Sequence, residues 1–226
     1  MEERLLQLLE TIVEEYISTA EPVGSQSLVD RHHLDVSSAT IRNWCTELEE
    51  AGFLTQPHTS GGRVPTEEGF RTYVREFVRE KPASKREREL LEKAKLVTDE
   101  SDRKIKNIAK ALADLSNQAV VVGLAEADTF YTGLSQLFAQ PEFKNWQRVV
   151  SLTEVLDRLD DALNAMRKNV LTEPRVFLGR ECPFGPACGC VMVSLPHGFL
   201  GILGPLRMDY QHGLSLIQTT LQLLNA

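Results

Sequence analysis

Residues 37–66, SSATIRNWCTELEEAGFLTQPHTSGGRVPT, decide how the rest of the chain is read. Ser37 precedes a run in which Ile41, Trp44, Cys45 and Leu48 recur at helical spacing, which predicts a Ser-capped helix with one apolar stripe. Gly52 then stands where a left-handed helix end belongs. FLTQ and RVP flank a polar tip, PHTSGG, the pattern of two short strands joined by a turn. With Ile41, Trp44 and Leu48 turned inward, Ser38, Ala39, Arg42, Asn43 and Thr46 fall on the opposite side.

The flanking residues extend the pattern in both directions. Upstream, Leu5, Leu8, Leu9, Ile12, Val13, Tyr16 and Ile17 give an amphipathic helix from about Glu3 to Ser18, broken by Pro22 and Gly24. Ser25 is placed to cap a short second helix, SQSLVDRHH. Downstream, Thr66 caps a fourth helix with Glu67 and Glu68 in its first turn and Phe70, Tyr73, Val74, Phe77 and Val78 on its inner face. Two short helices joined by a tight turn, followed by a hairpin, make a winged helix-turn-helix.

The residue types on the outward face suit nucleic acid. A recognition helix presents its N-terminal residues to base edges. Arginine pairs bidentately with guanine and asparagine with adenine, while serine and threonine serve bases or phosphates. Ser38, Thr40, Arg42 and Asn43 are therefore the helix candidates, and His58, Thr59 and Arg63 the candidates on the wing. The same pattern also suits the solvated face of an ordinary amphipathic helix, and the tip a plain hairpin turn. Helix and wing together favour DNA.

Bulk charge points the other way. The 226 residues carry a net charge of -7, with 42% apolar and 25% charged residues. Residues 1–80 hold seven basic groups, all Arg, against fifteen acids; residues 81–119 hold ten against seven. A strongly basic nucleic-acid coat is excluded, so binding must rest on local contacts. No apolar run reaches the ~18 residues of a membrane span, and the acidic start, MEERLLQLLE, is unlike a signal peptide. Four cysteines make a disulfide framework unnecessary, and a cytoplasmic location is expected.

The second part reads as α+β. The first boundary falls at Lys81-Pro82-Ala83-Ser84, giving a DNA-binding domain over 1–80. Residues 81–116 form a helical linker or a helix packed on the next domain, with Leu91, Ala94, Thr98, Ser101, Ile105, Ile108, Leu112 and Leu115 spaced by three and four and a break near Asp99. That spacing could also be a dimer seam. Within 117–226, AVVVGL, RVFLG, CVMVSL and GFLGILG read as strands of a small mixed sheet, with Pro196-His197-Gly198 turning the last two. Helical stretches are expected over 133–137 and 152–169, and a final helix after Asp209. Cys182, Cys188 and Cys190 are weak metal candidates: their Cys-x5-Cys-x-Cys spacing is not a standard knuckle, and neither His197 nor His212 is placed as a fourth ligand. Arg207 and Asp209 suit an ion pair or a helix cap. No cofactor and no catalytic set is indicated, so the chain is not read as an enzyme.

The runs ATIRN, LEEAGFL, QPHTS, GRVPT and GFR-Y closely resemble the amino-terminal domain of the heat-inducible transcription repressor HrcA family. LETIVEEYISTAEPVGSQSL belongs to the same resemblance. FYTGLSQLFAQPEF at 130–143 and GILGPLRMDY at 201–210 are similar to that family's second half. The resemblance implies a winged helix followed by a GAF-like domain, acting as a homodimer on an inverted-repeat operator of chaperone genes and controlled through the chaperonin. Members of the family are about half as long again and carry an inserted dimerising domain. Here Val120–Leu124 runs almost directly into FYTGLS, so the chain resembles a shortened member with a reduced GAF-like part. Two alternatives stand beside this one: a protein-interaction regulator working through the second domain, and a thiol- or metal-responsive DNA-binding regulator.

Overall fold

The structure, a computed structural model, describes residues 1–33, 35–57, 61–98, 100–124, 129–144, 171–196 and 198–225. It forms two compact units, Met1–Val78 and Arg79–Ala226.

In the first unit, α1 (Glu3–Thr19) buries Leu8, Leu9, Ile12 and Val13, and ends at Ala20 in the left-handed region (φ 58). The short α2 (Ser25–His32) starts differently from the sequence reading. Gly24 is its N-cap, and Ser25 is already helical and gives no side-chain cap. The α3 helix (Ser38–Glu50) is capped by Ser37, whose hydroxyl accepts from the Thr40 N–H at 3.1 Å. It buries Ile41, Cys45 and Leu48. Trp44 is only half-buried, because it lies on the flank of the stripe with the Arg4 guanidinium 5.4 Å over its ring.

Two short strands follow. β1 (Leu54–Thr55) and β2 (Val64–Pro65) pair antiparallel, Leu54 with Pro65 and Thr55 with Val64. The pairing continues past β2 into a bridge between Arg63 and Val23, in the segment joining α1 and α2. Thr66 caps α4 (Glu67–Phe77), its hydroxyl accepting from the Gly69 N–H.

The second unit begins with α5 (Lys85–Leu96), opened by a capping box in which Ser84 and Glu87 each accept the other's backbone N–H. α6 (Ser101–Ser116) follows, so the long periodic pattern is two helices. Leu91, Ile105, Ile108 and Leu112, four of the positions that could have formed a dimer seam, are buried within this unit. The sheet contains β3 (Ala119–Gly123), β4 (Thr129–Thr132), β5 (Arg175–Leu178), β6 (Cys188–Leu195) and β7 (Gly198–Pro205), in the order β4-β3-β7-β6-β5. The mixed sheet expected from sequence is a correction here: every described pairing is antiparallel. Direct hairpin connection explains part of it, since Leu195 pairs with Gly198 across a tight turn. The short helix α7 (Leu134–Phe138) covers one sheet face together with Phe143 and Phe184. The final helix α8 (Tyr210–Asn225) packs on β6, α5 and α6. The expected helix over 152–169 lies outside the described residues, as does His197.

Candidate nucleic-acid interface

The outward side of α3 follows from its inward one. A stripe at 41, 45 and 48 anchors the helix and turns Ala39, Arg42, Asn43 and Thr46 into solvent, with Ser38 and Thr40 half-buried at the first turn. The hydroxyl of Thr40 lies 2.9 Å from the Ser37 hydroxyl and shares in the cap, so this residue helps start the helix.

The arginines of this unit fall into two groups. Arg4 reaches Glu2 at 2.7 Å and Glu47 at 3.4 Å. Arg31 is paired with Glu15, Arg71 with Glu67 at 2.7 Å, and Arg75 with Glu76 at 2.7 Å. Arg42 differs from all of these. It is exposed, and among the described residues no acidic side chain pairs with it. Asn43 beside it is exposed as well. The far end of α3 is acidic in sequence, yet Glu47 is met by Arg4 and Glu49 by Arg63. Among the described residues no acid therefore meets Arg42 at the beginning of the helix, whereas two of the three glutamates near its end, Glu47 and Glu49, are met by arginines.

Arg63 is placed differently from a cation at the free tip of a wing. Its side chain is 16% exposed, and Nε donates to Glu49 Oε2 at 2.8 Å. It sits at the entry of β2, on the loop side of the Thr55–Val64 pair, where its backbone also bridges Val23. Sequence reasoning missed Glu49 as its partner, because fourteen positions separate the two and only the fold brings them together. His58 and Thr59 lie outside the described residues.

The three clustered cysteines are core residues. Cys182, Cys188 and Cys190 are at most 5% exposed and share an apolar cluster with Ala119, Val121, Leu137 and Phe184. Cys182 Sγ is 3.8 Å from Cys190 Sγ. Burial, reinforced by the neighbouring Cys182 thiol, pushes Cys188 up to about 12, and burial also raises Cys190. Raised in this way, Cys188 and Cys190 hold their protons and are weak nucleophiles. Among the described residues no group of three or more His, Cys, Asp or Glu side chains is arranged to hold a metal ion. His212 is engaged elsewhere, with Nε2 2.7 Å from Glu87 Oε1. Arg207 and Asp209 are also structural. Arg207 pairs with Glu142 and donates to Gln140 Oε1 at 3.0 Å, while Asp209 accepts the His212 N–H at 2.8 Å and caps α8.

This geometry defines an α+β protein made of a small helical unit with a hairpin and a second unit built on an antiparallel sheet. A solved crystal structure of a hypothetical protein shares the fold over 100% of this chain and 98% of its own, with a TM-score of 0.72 at 17% identity. Residues 66–213 match the family model of the HrcA protein C-terminal domain. The chain belongs to the HrcA family. It is 46% identical over 121 residues to the heat-inducible transcription repressor HrcA of Pseudarthrobacter chlorophenolicus, a match covering 54% of this chain and 36% of that protein. The protein of the same name from Acidothermus cellulolyticus is 46% identical over 122 residues, with the same coverage. The chain thus matches little more than a third of the length of these curated relatives. No described helix is long and apolar enough to cross a membrane.

Proposed function

We propose that the protein is a sequence-specific DNA-binding transcriptional repressor of the heat-inducible type, with a winged helix-turn-helix in residues 1–78 as its reading head. The observation that carries this reading is Arg42. In a unit whose other arginines are held by glutamates, it stands exposed beside Asn43 on the first half of α3, with no acidic partner among the described residues. A guanidinium and a carboxamide on adjacent residues suit guanine and adenine edges in a major groove. Ser38 is set for a base or phosphate, Thr40 for helix initiation and the groove edge, and His58 and Thr59 for the wing tip. The names of the relatives, heat-inducible transcription repressors, support the regulatory part.

The remaining parts of the proposal come from the family resemblance: a homodimer on an inverted repeat in the cytoplasm, with the chaperonin as a partner and a reduced GAF-like second domain. Selection of bound fragments from a random DNA pool tests the reading. An enriched inverted repeat is expected. Recovery of no sequence above background at moderate salt overturns it.

A further inference from the structure

The hairpin following α3 is fastened at one point to two different parts of its unit. At Arg63 the backbone makes two hydrogen bonds: the Val23 N–H donates to Arg63 O at 2.8 Å, and the Arg63 N–H donates to Val23 O at 2.9 Å. The preceding residue has to be glycine for this contact. A Cβ on Gly62 would stand 2.5 Å from both the carbonyl carbon and the oxygen of Val23. From the same residue the Arg63 side chain crosses to α3 and binds Glu49 at 2.8 Å. Gln56 Nε2 also donates to Gly61 O at 3.0 Å, joining the exit of β1 to the entry of β2.

Strands of two residues cannot by themselves fix the angle at which a hairpin leaves a domain. The backbone bridge to Val23 fixes one edge, and a second, non-parallel restraint is needed to fix the rotation about it. The Arg63–Glu49 contact supplies that restraint and is the hairpin's ion pair to α3. With side-chain exposures of 16% and 33%, the pair is shielded from solvent more than the surface pairs of α1 and α4.

We infer that Glu49 and Arg63 are a positioning pair that sets the hairpin against α3, so that wing and recognition helix meet one DNA duplex at a fixed spacing. Arg63 acts through Glu49 and does not touch phosphate. It also neutralises a carboxylate on the helix that approaches a polyanion. The inference rests on the DNA-binding reading for its functional part only. The mechanical part concerns the protein alone.

The test therefore has two arms, run on the full chain and on the variants Glu49→Gln, Arg63→Ala and the charge-exchanged pair Glu49→Arg with Arg63→Glu. In the first arm, hydrogen exchange is followed at the Val23 and Arg63 amides without DNA. Exchange at least tenfold faster in Glu49→Gln, with helical content unchanged, is expected; unchanged exchange overturns the pair whatever happens with DNA. In the second arm, affinity for the selected DNA is measured across a range of salt. Glu49→Gln and Arg63→Ala should both lose about tenfold in affinity, with the salt dependence left as in the parent. A direct phosphate contact would instead lower the salt slope by about one on Arg63→Ala. It would also tighten binding on Glu49→Gln, which frees the cation. Either result overturns the inference.

Recovery of affinity in the charge-exchanged pair supports positioning, since a glutamate at position 63 cannot serve as a phosphate ligand. If that pair does not fold, Glu49→Gln decides. Should the parent chain select no DNA at all, the functional reading falls, and the exchange arm alone decides whether the pair holds the hairpin.

Discussion

The first half of α3 and the strand β6 both carry residues that invite a chemical role, and the structure treats them in opposite ways. On α3, Arg42 and Asn43 are exposed, and Arg42 has no acidic partner among the described residues. On β6, Cys188 and Cys190 are enclosed in an apolar cluster and packed against Cys182. In sequence the three cysteines are the more conspicuous grouping. Reactivity, however, depends on access and ionisation, and burial removes both. What distinguishes a reading surface from a core is the presence of polar groups whose partners are missing.

The largest effect that could break this comparison is on thiol chemistry. With Cys188 pushed up to about 12 by burial and the adjacent Cys182, from an ordinary value of 9.0, its thiolate fraction is lower by about a thousandfold. Burial likewise raises Cys45 to about 11, with Arg63 lowering it and Glu49 raising it to smaller extents. Alkylation of the native protein at pH 8 should leave both unmodified, whereas denatured protein should react at all four cysteines. Rapid native labelling of Cys188 or Cys190, read by peptide mass, would restore the thiol-sensor alternative.

Next comes the pair of substitutions that separates surface from core. Arg42→Ala is expected to cost ~1–3 kcal/mol in binding the selected DNA and to relax base preference at one position. Its effect on stability should stay within about 0.5 kcal/mol, because the side chain is exposed and makes no ion pair among the described residues. Cys190→Ser should do the reverse. Placing a hydroxyl at a fully buried apolar position costs roughly 1–3 kcal/mol of stability. Titration at fixed salt and urea unfolding, run on both variants, would show any exchange of roles.

Ser37→Ala should cost about 1 kcal/mol of stability through loss of the cap to Thr40, with a smaller change in DNA affinity. An unaltered urea midpoint would show that Thr40 starts the helix without it.

The smallest effect is a pH dependence in the second unit. Burial of Glu87 opposes its ionisation, but the Ser84 side-chain and backbone hydrogen bonds and the His212 contact outweigh it and hold the carboxyl below its ordinary 4.5. A depressed folded value means the unfolded chain binds the proton more tightly. The contribution is therefore complete above about pH 4.5 and is lost as pH falls through the lower folded value. Glu87→Gln should flatten the stability profile in that window; a profile identical to the parent's would remove Glu87 as its source.

The chain order of the first unit is legible in its sequence because local physics sets each piece. Ser37 and Thr66 are caps, 41, 45 and 48 recur at helical spacing, and polar tip residues separate two short strands. The start of α2 was less so, since Gly24 does the work expected of Ser25. In the second unit the strands show as apolar runs, but the direction of their pairing depends on contacts far apart in the chain, so an antiparallel sheet replaced a mixed one.

The sequence by itself determined the order of helices and strands in the first unit, which faces are apolar, and the family to which the chain belongs, because capping, periodicity and ordered motifs are short-range properties. Only the tertiary structure decided which charges are free. Glu49 meets Arg63, Glu47 meets Arg4, and Arg42 meets no acid among the described residues. The physical reason is that an ion pair forms by proximity in space, and so does the enclosure that raises a thiol. Neither is encoded in residue type or local spacing.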